Sequence, residues 1–126
     1  MAALPNQYNI FDVAPGAQWN TTWTLTNADL TPMNITGKIF EFVIRASPQD
    51  LTAPAPVTVT SSASTAQGTI VVNTTAATVQ IILNPVATSL LVQVTSWVHA
   101  LWMDPGLSTA TAMVEGAFVV SPVAAP

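Results

Sequence analysis

The side chains that could do chemistry are few and widely spaced in this chain of 126 residues. His99 is the only histidine, and there is no cysteine. A zinc site needs three or four His, Cys or carboxylate ligands, and a serine or threonine nucleophile needs a base with an orienting acid. The acid nearest to His99 in the sequence is Asp104, across a turn. We therefore interpret His99 as a strand or interface residue, and we predict no catalytic residue, no metal ligand and no cofactor.

The acidic residues offer one other route to catalysis. Two carboxylates that lie close in space can hydrolyse a glycosidic bond. The six acids are spread along the whole chain, at Asp12, Asp29, Glu41, Asp50, Asp104 and Glu115. The glycines form no phosphate-binding pattern. The sequence thus predicts a protein that is not an enzyme.

The four tryptophans, Trp19, Trp23, Trp97 and Trp102, have two interpretations. Large aromatic side chains dominate the cores of small β domains, and they also anchor proteins or sugars at surfaces. Trp97 and Trp102 are five positions apart, so a regular strand directs them to opposite faces. Trp102 lies beside the turn at Asp104 and is the candidate for an exposed or interfacial aromatic.

The composition is unusually poor in charge. Only 6% of the residues are charged and half are hydrophobic, whereas an average protein has about 25% charged residues. This composition suits either an ordinary soluble β domain or a domain whose surface is largely covered by neighbours. With two basic residues and a net charge of −4, nucleic-acid binding is not expected. Prolines and polar residues interrupt the long uncharged stretch 51–103, so no membrane helix is expected either.

The stretch 32–47 organises the rest of the chain. Its alternation places Phe40, Phe42 and Ile44 on one face of a strand and Ile39, Glu41, Val43 and Arg45 on the other. Further strands are predicted over residues 8–13, 17–27, 57–61, 68–73, 78–84, 97–103 and 110–121, with a bulge expected at Gly116. Residues 86–95 are compatible with a short helix or with extended chain. The pattern favours an all-β fold, a β-sandwich or small barrel of seven or eight strands, in a single domain 1–126 with extended arms at about 1–15 and 122–126.

Two segments resemble a known family. Residues 32–45, PMNITGKIFEFVIR, and residues 97–122, WVHALWMDPGLSTATAMVEGAFVVSP, resemble the opening strand and the closing hairpin of the N-terminal module of phage baseplate upper proteins and related tail and virion proteins. The resemblance implies an immunoglobulin-like antiparallel β-sandwich with a structural role in a virion. Many of those relatives carry an aromatic–Asp pair where this chain has His99 and Ala100.

We therefore expect a virion structural protein, either a head decoration or a tail or baseplate component. Its expected partners are other virion proteins, as a homo-oligomer or as a capsid- or tail-bound subunit. Low charge, strand edges and arms that lie across neighbours would supply the contacts. The alternative is a module that binds glycans or a host surface through an exposed tryptophan. The candidate assembly interface comprises Tyr8, Phe11, Ile39, Glu41, Arg45, Trp102 and Val123.

Overall fold

A computed structural model describes residues 6–47, 55–91 and 96–120. Over these ranges the chain forms nine strands and one short helix. They are β1 (Asn6–Gln7), β2 (Ile10–Val13), β3 (Trp19–Thr24), β4 (Phe40–Arg45), β5 (Val57–Thr60), β6 (Gly68–Asn73), β7 (Thr78–Leu83), α1 (Pro85–Ser89), β8 (Ser96–Met103) and β9 (Thr111–Val120).

The strands form two sheets, which confirms the predicted all-β sandwich architecture. One sheet has the order β1-β9-β8-β4-β5, with β2 also paired to β9, and the other has the order β3-β7-β6. The pairs β3–β7, β6–β7, β4–β5, β4–β8 and β8–β9 are antiparallel. Strands β1 and β2 instead run parallel to β9.

The strand predicted at residues 8–13 of the expected arm is found as β2, but residues 6–13 lie on the sheet of their own chain and do not extend away from it. These residues form β1 and β2 and complete the edge of the six-stranded sheet. The physical reason is burial, because Ile10 is 4% exposed and Val13 is fully buried in the core of the same chain. Residues 1–5 and the expected arm 122–126 lie outside the described residues.

Strand β4 lies in the middle of the six-stranded sheet, between β8 and β5. Phe40, Phe42 and Ile44 are fully buried against the other sheet, as the alternation predicts. Val57 and Val59 of the neighbouring β5, predicted to point inward, are fully buried as well. Period-two alternation therefore identified the core face of both strands.

Aromatic rings fill the centre of the sandwich. Trp19 meets Phe118 edge to face, with ring centroids 5.1 Å apart. Trp23 is stacked on His99 at 5.8 Å, and Phe42 lies 5.6 Å from the same imidazole. Such ring pairs stabilise the fold by more than the burial of their area alone, and here they join the two sheets.

The predicted hairpin of β6 and β7 is confirmed, and so is the end of β7 at Asn84 and Pro85. Of the two alternatives for residues 86–95, helix or extended chain, the structure has the helix at the start of the range, where α1 has Pro85 in its first turn. The Thr88 hydroxyl donates to the Ala17 carbonyl over 2.8 Å, which ties α1 to the segment before β3. Residues 92–95 lie outside the described ranges.

The bulge predicted at Gly116 is found elsewhere. Gly116 pairs regularly with His99, and the register shifts between Leu101 and Trp102, which pair with Val114 and Ala112. Gly116 instead permits close approach, because a Cβ there would collide with the Tyr8 backbone carbonyl. No helix in the described ranges is long and apolar enough to cross a membrane.

Candidate interaction surface

The outer face of the six-stranded sheet carries a depression of about 610 Å³. Because side chains alternate along a strand, the residues between the core positions of β4, β8 and β9 all point to this face. They are Glu41, Val43 and Arg45 on β4, Val98, Ala100 and Trp102 on β8, and Glu115 on β9, and the lining is completed by Gln7, His99 and Gly116. We call the hollow that these residues line the outer-face depression.

The strand register sets the shape of the depression. Ala100 lies directly opposite Val43 on one side and Glu115 on the other. Its methyl group is the shortest side chain in that row, so the floor of the depression lies there. Trp102, opposite Glu41, forms one end of the depression.

The first strand closes one side of the depression. Gln7 pairs with Glu115 across the parallel β1–β9 ladder, and its Nε2 donates to Glu115 Oε1 over 2.7 Å. An amide donor bound to a carboxylate holds both side chains in place, since hydrogen bonds to an ionised group are the stronger ones. The side wall is therefore a pair of polar groups joined by a hydrogen bond.

A charged junction lies beyond Trp102, where β4 begins and the β8–β9 turn starts. Lys38 Nζ lies 3.1 Å from Asp104 Oδ2, and the Asp104 N–H donates to the Ile39 carbonyl over 2.7 Å. The hydrogen bond from Lys38 lowers the pKa of Asp104 below its ordinary value, and the ion pair itself acts in the same direction. Trp102 is thus placed between the outer-face depression and a second hollow lined by Pro105, Gly106 and Ala110.

His99 lies behind this face, between the two sheets. It is 2% exposed, and its Nε2 is 2.6 Å from the Tyr8 carbonyl oxygen. A carbonyl only accepts, so Nε2 carries the proton of the neutral ring. Burial lowers the pKa of His99, while the Tyr8 carbonyl and the charge of Glu115 act in the opposite direction. His99 is a buried strand residue that ties β8 to the N-terminal strands.

Three of the predicted interface residues come together. Glu41, Arg45 and Trp102, from two strands far apart in the sequence, all line the outer-face depression, and each is half-buried. They offer a carboxylate acceptor, a guanidinium donor and an indole plane beside aliphatic side chains. Aromatic and arginine side chains are enriched at protein interfaces, and aromatic faces also stack on other planar or apolar groups.

The other predicted interface residues lie elsewhere. Tyr8 is 46% exposed, and its ring meets Trp23 edge to face at 5.6 Å, on the core side of the sheet. Phe11 is 62% exposed on β2, and Ile39 is 45% exposed just before β4 begins. Val123 lies outside the described residues. The structure therefore does not bring Tyr8, Phe11 or Ile39 into the outer-face depression.

Sequence reasoning missed five residues of this surface: Gln7, Val98, Ala100, Glu115 and Gly116. Val98 and Ala100 share the parity of Trp102 on β8, and that signal was present in the sequence. The contribution of Gln7 depends on the parallel pairing of β1 with β9, for which the alternation contains no signal.

Within the described ranges, no group of three or more His, Cys, Asp or Glu side chains could hold a metal ion. Glu41 and Glu115 share the outer face, but strand β8 lies between their strands. No known protein family matches the sequence, and no curated protein is significantly similar to it.

Proposed function

We propose that this chain is a structural domain of a virion, which binds another virion protein through the outer-face depression and carries out no catalytic step. The observation that carries the proposal is the presence of Trp102, Glu41 and Arg45 together in a depression on the outer face of the six-stranded sheet, where each is partly exposed. A half-buried indole among aliphatic and polar side chains is a typical anchor of protein interfaces.

The resemblance described above supports the virion setting. Its two segments, separated by about 50 residues in the sequence, contain β4 and the β8–β9 hairpin. These strands are direct neighbours in the sheet, because β4 pairs with β8 along six consecutive residues. The residues that carry the resemblance therefore form one continuous part of the fold, and they include the centre of the outer-face depression.

The scarcity of charge supports a covered surface. A typical stable interface buries about 800 Å² on each partner. Five strands about 4.8 Å apart and roughly 20 Å long cover about 400 Å². The outer face alone is therefore about half of a typical interface, and we expect flanking segments of the chain to contribute to the contact.

The test is to ask whether the chain co-purifies with virus particles and whether Trp102 is needed. Replacing Trp102 with serine should reduce incorporation about 30-fold, since truncating an aromatic side chain that anchors an interface costs about 2 kcal/mol or more. Leu107→Ser is the matched control, because Leu107 is 62% exposed and lies outside the depression. Absence of the wild-type chain from particles, or equal incorporation of both variants, contradicts the proposal.

A second candidate function is glycan binding, which the shape of the same depression favours. A Trp102 ring beside the carboxylates of Glu41 and Glu115 and the amide of Gln7 offers both a stacking plane and hydrogen-bond groups to a sugar. A glycan array would then show a specific signal that Trp102→Ala abolishes. An array without signal for the wild-type chain excludes this function for the glycans tested.

A further inference from the structure

Strand β3 is an exposed edge of the three-stranded sheet. It has the sequence WNTTWT and pairs with β7 alone, through six consecutive residue pairs from Trp19 to Thr24. It contains no charged residue, no proline and no bulge. Natural proteins usually protect sheet edges with at least one of these features, because an unprotected edge pairs readily with another strand.

The backbone groups that β3 offers at this edge follow from the ladder. In an antiparallel pair, hydrogen-bonded and non-hydrogen-bonded residues alternate. The Leu25 N–H donates to the Ala77 carbonyl over 2.8 Å, just beyond the β3–β7 pairing. Leu25 and every second residue before it therefore direct their backbone groups toward β7. The residues between them, Asn20, Thr22 and Thr24, direct their N–H and C=O groups away from β7. No hydrogen bond outside the ladders joins these three residues to another described residue.

Other edges in the described part of the chain are protected in part. On β5, the Thr58 N–H donates to Gln67 Oε1 over 2.9 Å, and Pro56 precedes the strand. On β6, Gly68 exchanges hydrogen bonds with Thr65. Strand β1 is two residues long. Strand β3 is thus a six-residue edge with no charge, no proline and no hydrogen bond from its outward backbone groups to another described residue.

The side chains beside this edge are neutral as well. The outer face of the three-stranded sheet has three rows across its strands, and none of its nine residues is charged: Asn20, Ile82 and Thr69, then Thr22, Gln80 and Val71, then Thr24, Thr78 and Asn73. A strand that docks on β3 therefore meets no charge on this face.

We infer that β3 pairs antiparallel with β3 of a second copy of this chain, around a twofold axis that places Thr22 opposite its own counterpart. Asn20 of each copy then lies opposite Thr24 of the other. Three residue pairs exchange two N–H···O bonds each, and the two three-stranded sheets become one continuous six-stranded sheet.

A second copy fits this edge for three reasons. The outward backbone groups are symmetric about Thr22, so an antiparallel copy satisfies all of them in one register. The directly opposed side chains are Thr with Thr and Asn with Thr, and short hydroxyl pairs are favourable across strands. A twofold contact always opposes like groups at its centre, and here the central side chain is uncharged.

This inference is independent of the proposed function, because β3 belongs to the opposite sheet from the outer-face depression. Variants of Trp102 should leave the pairing unchanged, and variants of Thr22 should leave the outer-face depression unchanged. Failure of one proposal is therefore distinguishable from failure of the other.

The first experiment measures self-association by sedimentation equilibrium. The wild-type chain should form a dimer as its concentration rises, and Thr22→Lys and Thr22→Glu should each weaken the dimer at least tenfold, because like charges then lie directly opposite. An equimolar mixture of the two variants should dimerise again. The matched control is Val71→Lys. It places the same charge in the same row of the same face, but on β6, two strands away from β3.

The second experiment tests the register by cross-linking. The chain has no cysteine, so Thr22→Cys introduces a single thiol. Opposed residues of a hydrogen-bonded pair have Cα atoms about 5.5 Å apart, within the range that a disulfide spans. Thr22→Cys should form a disulfide dimer under mild oxidation, and the exposed control Val71→Cys should not. A wild-type chain that stays monomeric at all concentrations, a mixture that does not dimerise, or equal cross-linking of both variants overturns the inference.

Discussion

Replacing Gly116 with alanine should detach the N-terminal strands from the rest of the sandwich. A Cβ at this position would collide with the backbone carbonyl group of Tyr8 and approach the side-chain oxygen of Asn9. A backbone carbonyl cannot rotate away as a side chain can. Strand β1 and the residues that follow it must therefore move off β9.

The cost follows from the hydrogen bonds that this movement breaks. The Tyr8 N–H donates to the Glu115 carbonyl over 2.8 Å, and the Tyr8 carbonyl is 2.6 Å from His99 Nε2. The Ala117 N–H donates to Asn9 Oδ1 over 3.0 Å. At about 0.5–1.5 kcal/mol each, loss of these three bonds should lower the free energy of unfolding by roughly 2–4 kcal/mol. For a domain of this size, that corresponds to a melting temperature lower by roughly 6–15 °C.

The assay is a double-mutant cycle in urea denaturation. Gly116→Ala is measured in the whole chain and in a chain that lacks residues 1–9, which has no Tyr8 carbonyl to collide with. The substitution should be clearly costlier in the first background than in the second, where only the backbone strain of a side chain at the φ of 159° remains. Amide hydrogen exchange of Tyr8 and Ala117 in the whole chain reports the same event locally.

An equal cost in the two backgrounds would refute this reasoning, because it would assign the role of Gly116 to the conformation of β9 itself. Unchanged protection of the Tyr8 amide in Gly116→Ala would refute it as well. If the shortened chain does not fold, the exchange measurement alone decides.

Other predictions concern the core and the titrating groups. Phe42→Ala should lower the free energy of unfolding by about 3–5 kcal/mol, because a fully buried ring leaves a cavity, whereas Phe11→Ala at an exposed position should change it by less than about 0.5 kcal/mol in the same urea titration. The folded-state pKa of His99 is below its ordinary 6.5, so the unfolded chain binds that proton first and stability should fall as the pH drops below about 6.5. His99→Gln should remove this dependence, and an unchanged pH profile would count against it. The folded-state pKa of Asp104 is also lowered, chiefly by Lys38, so its contribution is present above the ordinary 3.8 and is lost as the pH falls further. Asp104→Asn should make unfolding less pH-dependent in that acidic range, as thermal melts at low ionic strength would show.

Local alternation made much of the fold predictable. The period-two pattern of residues 37–45 identified the buried face of β4, and the five-residue spacing of Trp97 and Trp102 placed them on opposite faces of β8. The structure agrees, with Trp97 6% exposed in the core and Trp102 half-buried outside. Turn residues such as Asp104 and Gly106, both with positive φ, marked where strands end.

The alternation pattern did not predict which strands that are distant in the sequence pair with each other. The sequence alone determined where β2 to β9 lie and which side of these strands is apolar, because both depend on neighbours within a few positions. The tertiary structure decided that β1 runs parallel to β9, so that Gln7 bonds Glu115 across 108 residues, and that Glu41 and Trp102 are cross-strand neighbours. These pairings depend on which apolar faces meet in the core and which backbones can approach closely, and those are properties of the whole chain.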